Sequence, residues 1–124
     1  MRNLTMLTDL YQLTMMYGYH KTGMANNIAV FDMFYRSQSE AMHMAVFAGL
    51  EQLIDYVNDL HFSEDDIGYL RSLGLFDEGF LDALKNFRFT GDIQAVPEGT
   101  IVFPGEPLIR VVAPIFEAQL LETA

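Results

Sequence analysis

The stretch Leu7-Thr8-Asp9-Leu10-Tyr11-Gln12-Leu13-Thr14-Met15-Met16-Tyr17, answered after a short gap by Phe31-Asp32-Met33-Phe34-Tyr35-Arg36, decides how the chain reads. In the first, Leu10, Leu13, Met16 and Tyr17 recur at helical spacing, so a helix is expected with these residues inward. Thr5 or Thr8 is placed to cap it, and Asp9 falls early in its first turn, where the helix dipole favours an acid. Lys21 in the last turn and Gly23 just beyond it mark its end. Tyr11, Met15 and Gly18 form a second stripe on the flank, and the glycine there leaves room for a close neighbour. After a turn at Asn26-Asn27, residues 28–36 alternate with period two and are rich in Val, Ile, Phe and Tyr, which predicts a strand. Ile28, Val30, Asp32, Phe34 and Arg36 share one face, and Asp32 and Arg36 are placed either to pair or to act separately. Neither face is polar throughout, so this strand is expected to be central in its sheet.

Working outward, Ser37 to Met44 is ambiguous, a loop followed by a short strand from Met42 to Phe47. Ala48-Gly49 opens a helix with Leu50, Leu53, Ile54, Val57 and Leu60 inward. Ser63 followed by Glu64-Asp65-Asp66 resembles a capping box and starts a short helix closed by Gly74. Asp77-Glu78 starts another, with Phe80, Leu81, Leu84 and Phe87 apolar. Two short acidic helices in a row predict a solvated outer layer. Beyond them, strands at 93–96, 100–103 and 108–112, separated by the turns Pro97-Glu98-Gly99 and Pro104-Gly105-Glu106, predict an antiparallel meander. The run from Ile115 to Ala124 has helical propensity, an apolar Phe116–Leu120 pair and no C-cap, which reads as a chain cut inside a helix. The fold class expected is α+β, an α/β-type domain with an open mixed, largely antiparallel sheet and flanking helices.

The 124 residues suffice for one domain, and an apolar fraction of 51% against 19% charged supports a packed core. Seventeen acids face seven scattered bases, for a net charge of −10. Such a surface repels nucleic acid phosphates and fits poorly with a complete phosphate-binding site inside this chain. No apolar run approaches the roughly 18 residues of a membrane span, and the N-terminus lacks the pattern of a signal peptide. The absence of cysteine excludes a disulfide framework and thiolate metal sites, and leaves a cytoplasmic location as the simplest expectation.

No self-contained active site is visible. The glycines match neither a P-loop nor a dinucleotide fingerprint. His20, His43 and His61 lie too far apart for ligand-type spacing. The serines lack a nucleophile-elbow context. The turn-rich segment from Val96 to Val111 could suggest a lipoyl- or biotinyl-type carrier, but no lysine follows Lys85 to hold the cofactor. Taken alone, Tyr11 reads as a half-buried helix aromatic, Arg36 as a strand-end charge or a partner of Asp32, and Asp9 as a first-turn acid.

Thr8-Asp9-Leu10-Tyr11-Gln12-Leu13-Thr14-Met15, Phe31-Asp32-Met33-Phe34-Tyr35-Arg36, Phe47-Ala48-Gly49-Leu50-Glu51, Pro97-Glu98-Gly99 and Gln119-Leu120-Leu121-Glu122-Thr123 occur in this order, and the chain resembles the N-terminal portion of nicotinate phosphoribosyltransferases. The resemblance implies that residues 1–124 are the family's N-terminal domain and that its irregular α/β barrel is absent. It implies condensation of nicotinate with phosphoribosyl pyrophosphate to nicotinate mononucleotide and pyrophosphate, coupled to ATP hydrolysis and accompanied by Mg2+. Neither ATP nor Mg2+ is expected on this fragment, which should be inactive alone. It also implies a homodimer whose active sites borrow residues from the neighbour's N-terminal domain, with no nucleic acid or membrane partner. On this resemblance Tyr11 is the ring that stacks on the pyridine, Arg36 the guanidinium that reaches a donor or product phosphate, and Asp9 a residue that orients Tyr11 or its neighbours. The segment from Ser37 to Met44 departs from the family, which commonly has a Pro-Phe-Gly-like turn there. The alternatives are a non-catalytic interaction module with the same fold, or a phosphoribosyltransferase acting on nicotinamide or quinolinate.

Overall fold

In the computed structural model, which describes residues 3–37 and 43–124, the core gathers around Phe80. Its fully buried ring lies 5.0 Å from that of Phe76, 5.1 Å from Tyr17, 5.9 Å from His20 and 6.0 Å from Phe116. Phe80 is carried by α4 (Glu78–Lys85), which also buries Leu81 and Leu84, while the adjoining α3 (Glu64–Ser72) buries Ile67 and Leu70. The outer-layer expectation is therefore corrected. The acids of both helices face water, but their inner stripes are the middle of the core. The cap read at Ser63 is present, and the helix expected to start at Asp77-Glu78 is capped by Asp77. The Ser63 hydroxyl accepts from the Asp66 amide while Asp66 accepts from the Ser63 amide, and Asp77 accepts from the Phe80 amide at 2.9 Å.

The first helix, α1 (Leu10–Lys21), buries Gln12, Leu13 and Met16, and the left-handed Gly23 (φ 74°) follows its C-cap at Thr22. Two expectations fail here. Leu10 is exposed, because the buried face is rotated toward Gln12. The N-cap is Asp9 rather than a threonine, and its side chain makes no cap bond. Thr5 instead is buried and accepts the His61 amide at 3.1 Å. No neighbour lies within van der Waals reach of a Cβ at Gly18.

The strands form two antiparallel sheets, with order β1-β5-β3 in one and β2-β4 in the other. Here β1 is Ile28–Met33, β2 Ala45–Val46, β3 Asp92–Ala95, β4 Ile101–Val102 and β5 Ile109–Pro114. The fold class is α+β as expected, and every pairing among the described residues is antiparallel. The central strand, however, is β5, which buries Ile109, Val111 and Ala113 in alternation, and β1 lies at the edge. The outward Ile28 and Val30 of β1 remain 68% and 56% exposed because this sheet is covered on one face. That apolar outer face, read as a sign of centrality, carries no second layer. The meander is also interrupted, since β4 leaves to pair with β2. Gly91 marks a close approach to the central strand, because a Cβ there would overlap that of Ala113. The chain continues from β5 into α5 (Ile115–Leu120) and a 3-10 turn at Leu121–Thr123. The departure noted at Ser37 to Met44 falls largely on residues 38–42, which lie outside the described residues, as does the start of the strand expected from Met42.

The helix α2 (Leu50–Asp59) starts at Gly49, whose φ of 106° suits a residue without a Cβ. Ile54 is exposed rather than inward, and no residue of this helix is fully buried. Its cap comes from across the fold. Glu98 Oε1 accepts the Gly49 amide at 2.9 Å and the Glu51 amide at 3.3 Å. The amides of Glu51, Gly49 and Leu50 hold the Glu98 carboxyl below its ordinary value of 4.5. Its contribution is therefore complete above pH 4.5 and is lost as pH falls through the depressed folded value. We expect Glu98→Gln to lower the protection of the Gly49 and Glu51 amides against exchange near neutral pH, relative to their intrinsic rates, and to remove the loss of that protection on acidification. Unchanged protection at these amides would show that the cap is inert.

Candidate functional site

The site begins with Tyr11, in the first turn of α1, and with what α5 brings to it. Tyr11 keeps a 48% exposed side, while its hydroxyl is held at two points. It donates to Glu122 Oε2 at 2.5 Å and accepts from Gln12 Nε2 at 3.0 Å. The Glu122 carboxylate is the main cause that pushes the phenol up to about 12, with partial burial and the nearby charge of Asp9 adding to it. The hydroxyl therefore keeps its proton at neutral pH and stays a donor.

Gln12 is fully buried and fully used. Its amide nitrogen serves both Tyr11 and Thr123 Oγ1, the latter at 3.1 Å, and its carbonyl accepts from Gln119 Nε2. Gln119 accepts in turn from the Tyr19 hydroxyl at 3.2 Å. Two buried glutamines thus join α1 to α5, with no polar group of theirs left to be desolvated unpaired.

Arg36 lies just beyond β1. Its guanidinium sits 5.8 Å from the centroid of the Phe34 ring, within cation–π reach. It lines a cleft of about 520 Å³ together with Asp32, Phe34, Leu53, Val111 and Glu122. The Asp32–Arg36 pair left open by the sequence is not the one formed. Asp32 faces Arg110 across the β1–β5 ladder and binds it through two hydrogen bonds of 2.7 and 2.9 Å. The Arg110 guanidinium holds the Asp32 carboxyl below the usual carboxylate range.

Of the residues singled out from sequence, Tyr11 and Arg36 are thus linked through one cleft, since Glu122 both lines it and accepts the Tyr11 hydroxyl. Asp9 stands at the helix N-cap, where its carbonyl accepts the Gln12 amide at 3.1 Å and its charge acts on Tyr11. Sequence reasoning missed Gln12 and Glu122 as partners of Tyr11, and Gln119 as the partner of Gln12. A trace of them was available, because Gln12, Met16 and Tyr19 lie on one helical face, an arrangement that puts a polar amide where only apolar groups are expected. Among the described residues no group of three or more His, Asp or Glu could hold a metal ion. No helix among them is long and apolar enough to cross a membrane.

A half-exposed tyrosine tied to a residue of the cleft that Arg36 lines could take part in binding a flat anionic ligand. Residues 6–124 match the family model of the nicotinate phosphoribosyltransferase N-terminal domain. Nicotinate phosphoribosyltransferase pncB2 of Mycobacterium tuberculosis is 43% identical over 118 residues, covering 95% of this chain and 25% of its own length. The nicotinate phosphoribosyltransferase of Bacillus subtilis is 40% identical over 122 residues, covering 98% of this chain and 25% of its own. The crystal structure of human nicotinic acid phosphoribosyltransferase superposes with a TM-score of 0.84 at 34% identity, over 94% of this chain and 24% of that one. The chain spans about a quarter of the length of these relatives.

Proposed function

The chain belongs to the nicotinate phosphoribosyltransferase N-terminal domain family, and from that premise we propose that it supplies the ring-stacking and phosphate-reaching edge of such an enzyme. The whole enzyme joins nicotinate to phosphoribosyl pyrophosphate, giving nicotinate mononucleotide and pyrophosphate with ATP hydrolysis, in the cytoplasm. The observation that carries the reading is the state of Tyr11. Its hydroxyl is fixed at two points while its ring stays half-exposed. A purely structural tyrosine buries its ring and leaves the hydroxyl to water, whereas Tyr11 leaves about half of its surface exposed and ties its hydroxyl to Glu122 and Gln12.

On this reading the Tyr11 face stacks on the pyridine ring, and Arg36 binds two phosphate oxygens of donor or product through its planar fork. Asp9 adds negative charge beside Tyr11. These side chains serve the barrel of a second subunit in a homodimer, so 124 residues alone are inactive. On the same reading magnesium and ATP act with the barrel.

In the full-length enzyme, Tyr11→Ala should raise the KM for nicotinate by about two- to tenfold, the loss of one stacking contact. Arg36→Ala should weaken use of phosphoribosyl pyrophosphate and leave the nicotinate KM nearly unchanged. Steady-state kinetics with each substrate varied in turn checks both. If Tyr11→Ala left KM and kcat alike, Tyr11 would be an ordinary helix aromatic.

A further inference from the structure

The hydrogen bonds around Tyr11 run in one direction. Tyr19 donates to Gln119, Gln119 to Gln12, Gln12 to Tyr11, and Tyr11 to Glu122. Every link crosses between α1 and the segment from Gln119 to Glu122, except the one between the neighbours Gln12 and Tyr11. The chain of bonds starts on a tyrosine hydroxyl and ends on a carboxylate, which can only accept. Each donor along it is polarised by the bond ahead, so the bonds strengthen one another. The interior members are fixed by burial, with Gln12 wholly enclosed and Gln119 nearly so. Tyr19 at the start is partly exposed, and Tyr11 and Glu122 at the end are exposed, with Glu122 lining the cleft that Arg36 also lines.

A half-exposed tyrosine on a helix ordinarily samples more than one rotamer. Here its hydroxyl is held by a donor, Gln12, and an acceptor, Glu122, which restrains the ring while about half of the residue stays exposed. We propose that Glu122 and Gln12 are positioning residues, which clamp the Tyr11 hydroxyl and so present the ring in one orientation to the pyridine of the substrate. The inference rests on the stacking role given to Tyr11 above and adds the device that sets its geometry. Ordering a side chain in advance leaves less freedom to be lost when the ligand arrives. The raised phenol pKa is consistent with this, because it keeps the proton on Tyr11 and the direction of the bonds unchanged through the neutral range. Glu122 touches no ligand in this scheme; it acts through Tyr11.

A double-mutant cycle on the full-length enzyme tests the clamp, with Tyr11→Phe, Glu122→Ala and the two combined. Tyr11→Phe keeps the ring and removes only the hydroxyl. Each single change should raise the nicotinate KM about fivefold, the effect of one lost hydrogen bond, with kcat within about twofold. In the Tyr11→Phe background, Glu122→Ala should add nothing. Glu122→Gln, which keeps an acceptor oxygen, should stay near the parent KM. Additive effects, or an unchanged KM in Tyr11→Phe, would overturn the clamp. The two readings separate cleanly, because a null Tyr11→Ala sinks the stacking role itself, whereas an effect in Tyr11→Ala with none in Tyr11→Phe sinks only the clamp. Should Glu122→Ala fail to fold, Tyr11→Phe alone still decides, since it leaves the carboxylate in place.

Discussion

Phe80→Ala is expected to destabilise the domain by about 3–5 kcal/mol, the usual cost of emptying a fully buried phenylalanine site. The ring is 0% exposed and meets four others, those of Tyr17, His20, Phe76 and Phe116. These partners come from α1, from the loop before α4 and from α5, so they cannot close on the space together without moving whole elements. Domains of this kind are stable by about 5–15 kcal/mol, so the change removes a large share of the total. Urea unfolding followed by circular dichroism would measure it. A loss under about 1.5 kcal/mol would mean that the aromatic cluster collapses readily and is not the centre of the fold. Phe80→Leu should cost less, because it refills most of the volume.

Gly91→Ala is the second large effect, and it works by excess rather than by a void. A methyl group there would overlap the Ala113 Cβ and stand 2.6 Å from the Val112 carbonyl oxygen and 3.0 Å from the Ala113 Cα. All three atoms belong to the central strand β5, which cannot retreat without breaking its ladders to β1 and β3. The entry of β3 must move instead, at a cost of about 2–3 kcal/mol. Adding Ala113→Gly removes the nearest atom but leaves the clash with the backbone of β5, so the double variant should recover only part of the loss. Thermal unfolding of the three variants would show it. Full stability in Gly91→Ala would mean that β3 has room the structure does not display.

What could be read from sequence followed how local the cause was. The capping box at Ser63 and the cap at Asp77 were legible, because residues a few positions apart make them. So was the stop of α1 at Gly23, which needs only one residue with a positive φ. The place of β1 was not legible. An apolar outer face means centrality only if a second layer covers it, and Ile28 and Val30 carry none here. The destination of β4 depended on a pairing with β2 from the other half of the chain. For the candidate site, Tyr11, Arg36 and Asp9 could be marked by residue type and resemblance. Their wiring could not, because Asp32 meets Arg110 and Tyr11 meets Glu122 across 78 and 111 positions. No periodicity within a window of helical length encodes such a contact.

The joining of α1 to α5 also has a consequence in time. The glutamine pair closes across 107 positions, so Gln12 can meet Gln119 only after the 107 residues that follow it have been made. At roughly 5–20 residues per second, that is a wait of roughly 5–20 s. Through that interval Gln12 is without Gln119, and the long loop must close before the pair contributes. The buried polar link of α1 is therefore sealed by the segment that carries Gln119 and Glu122, after Phe76, Asp77 and Phe80 have already been made to receive Tyr17, Lys21 and His20.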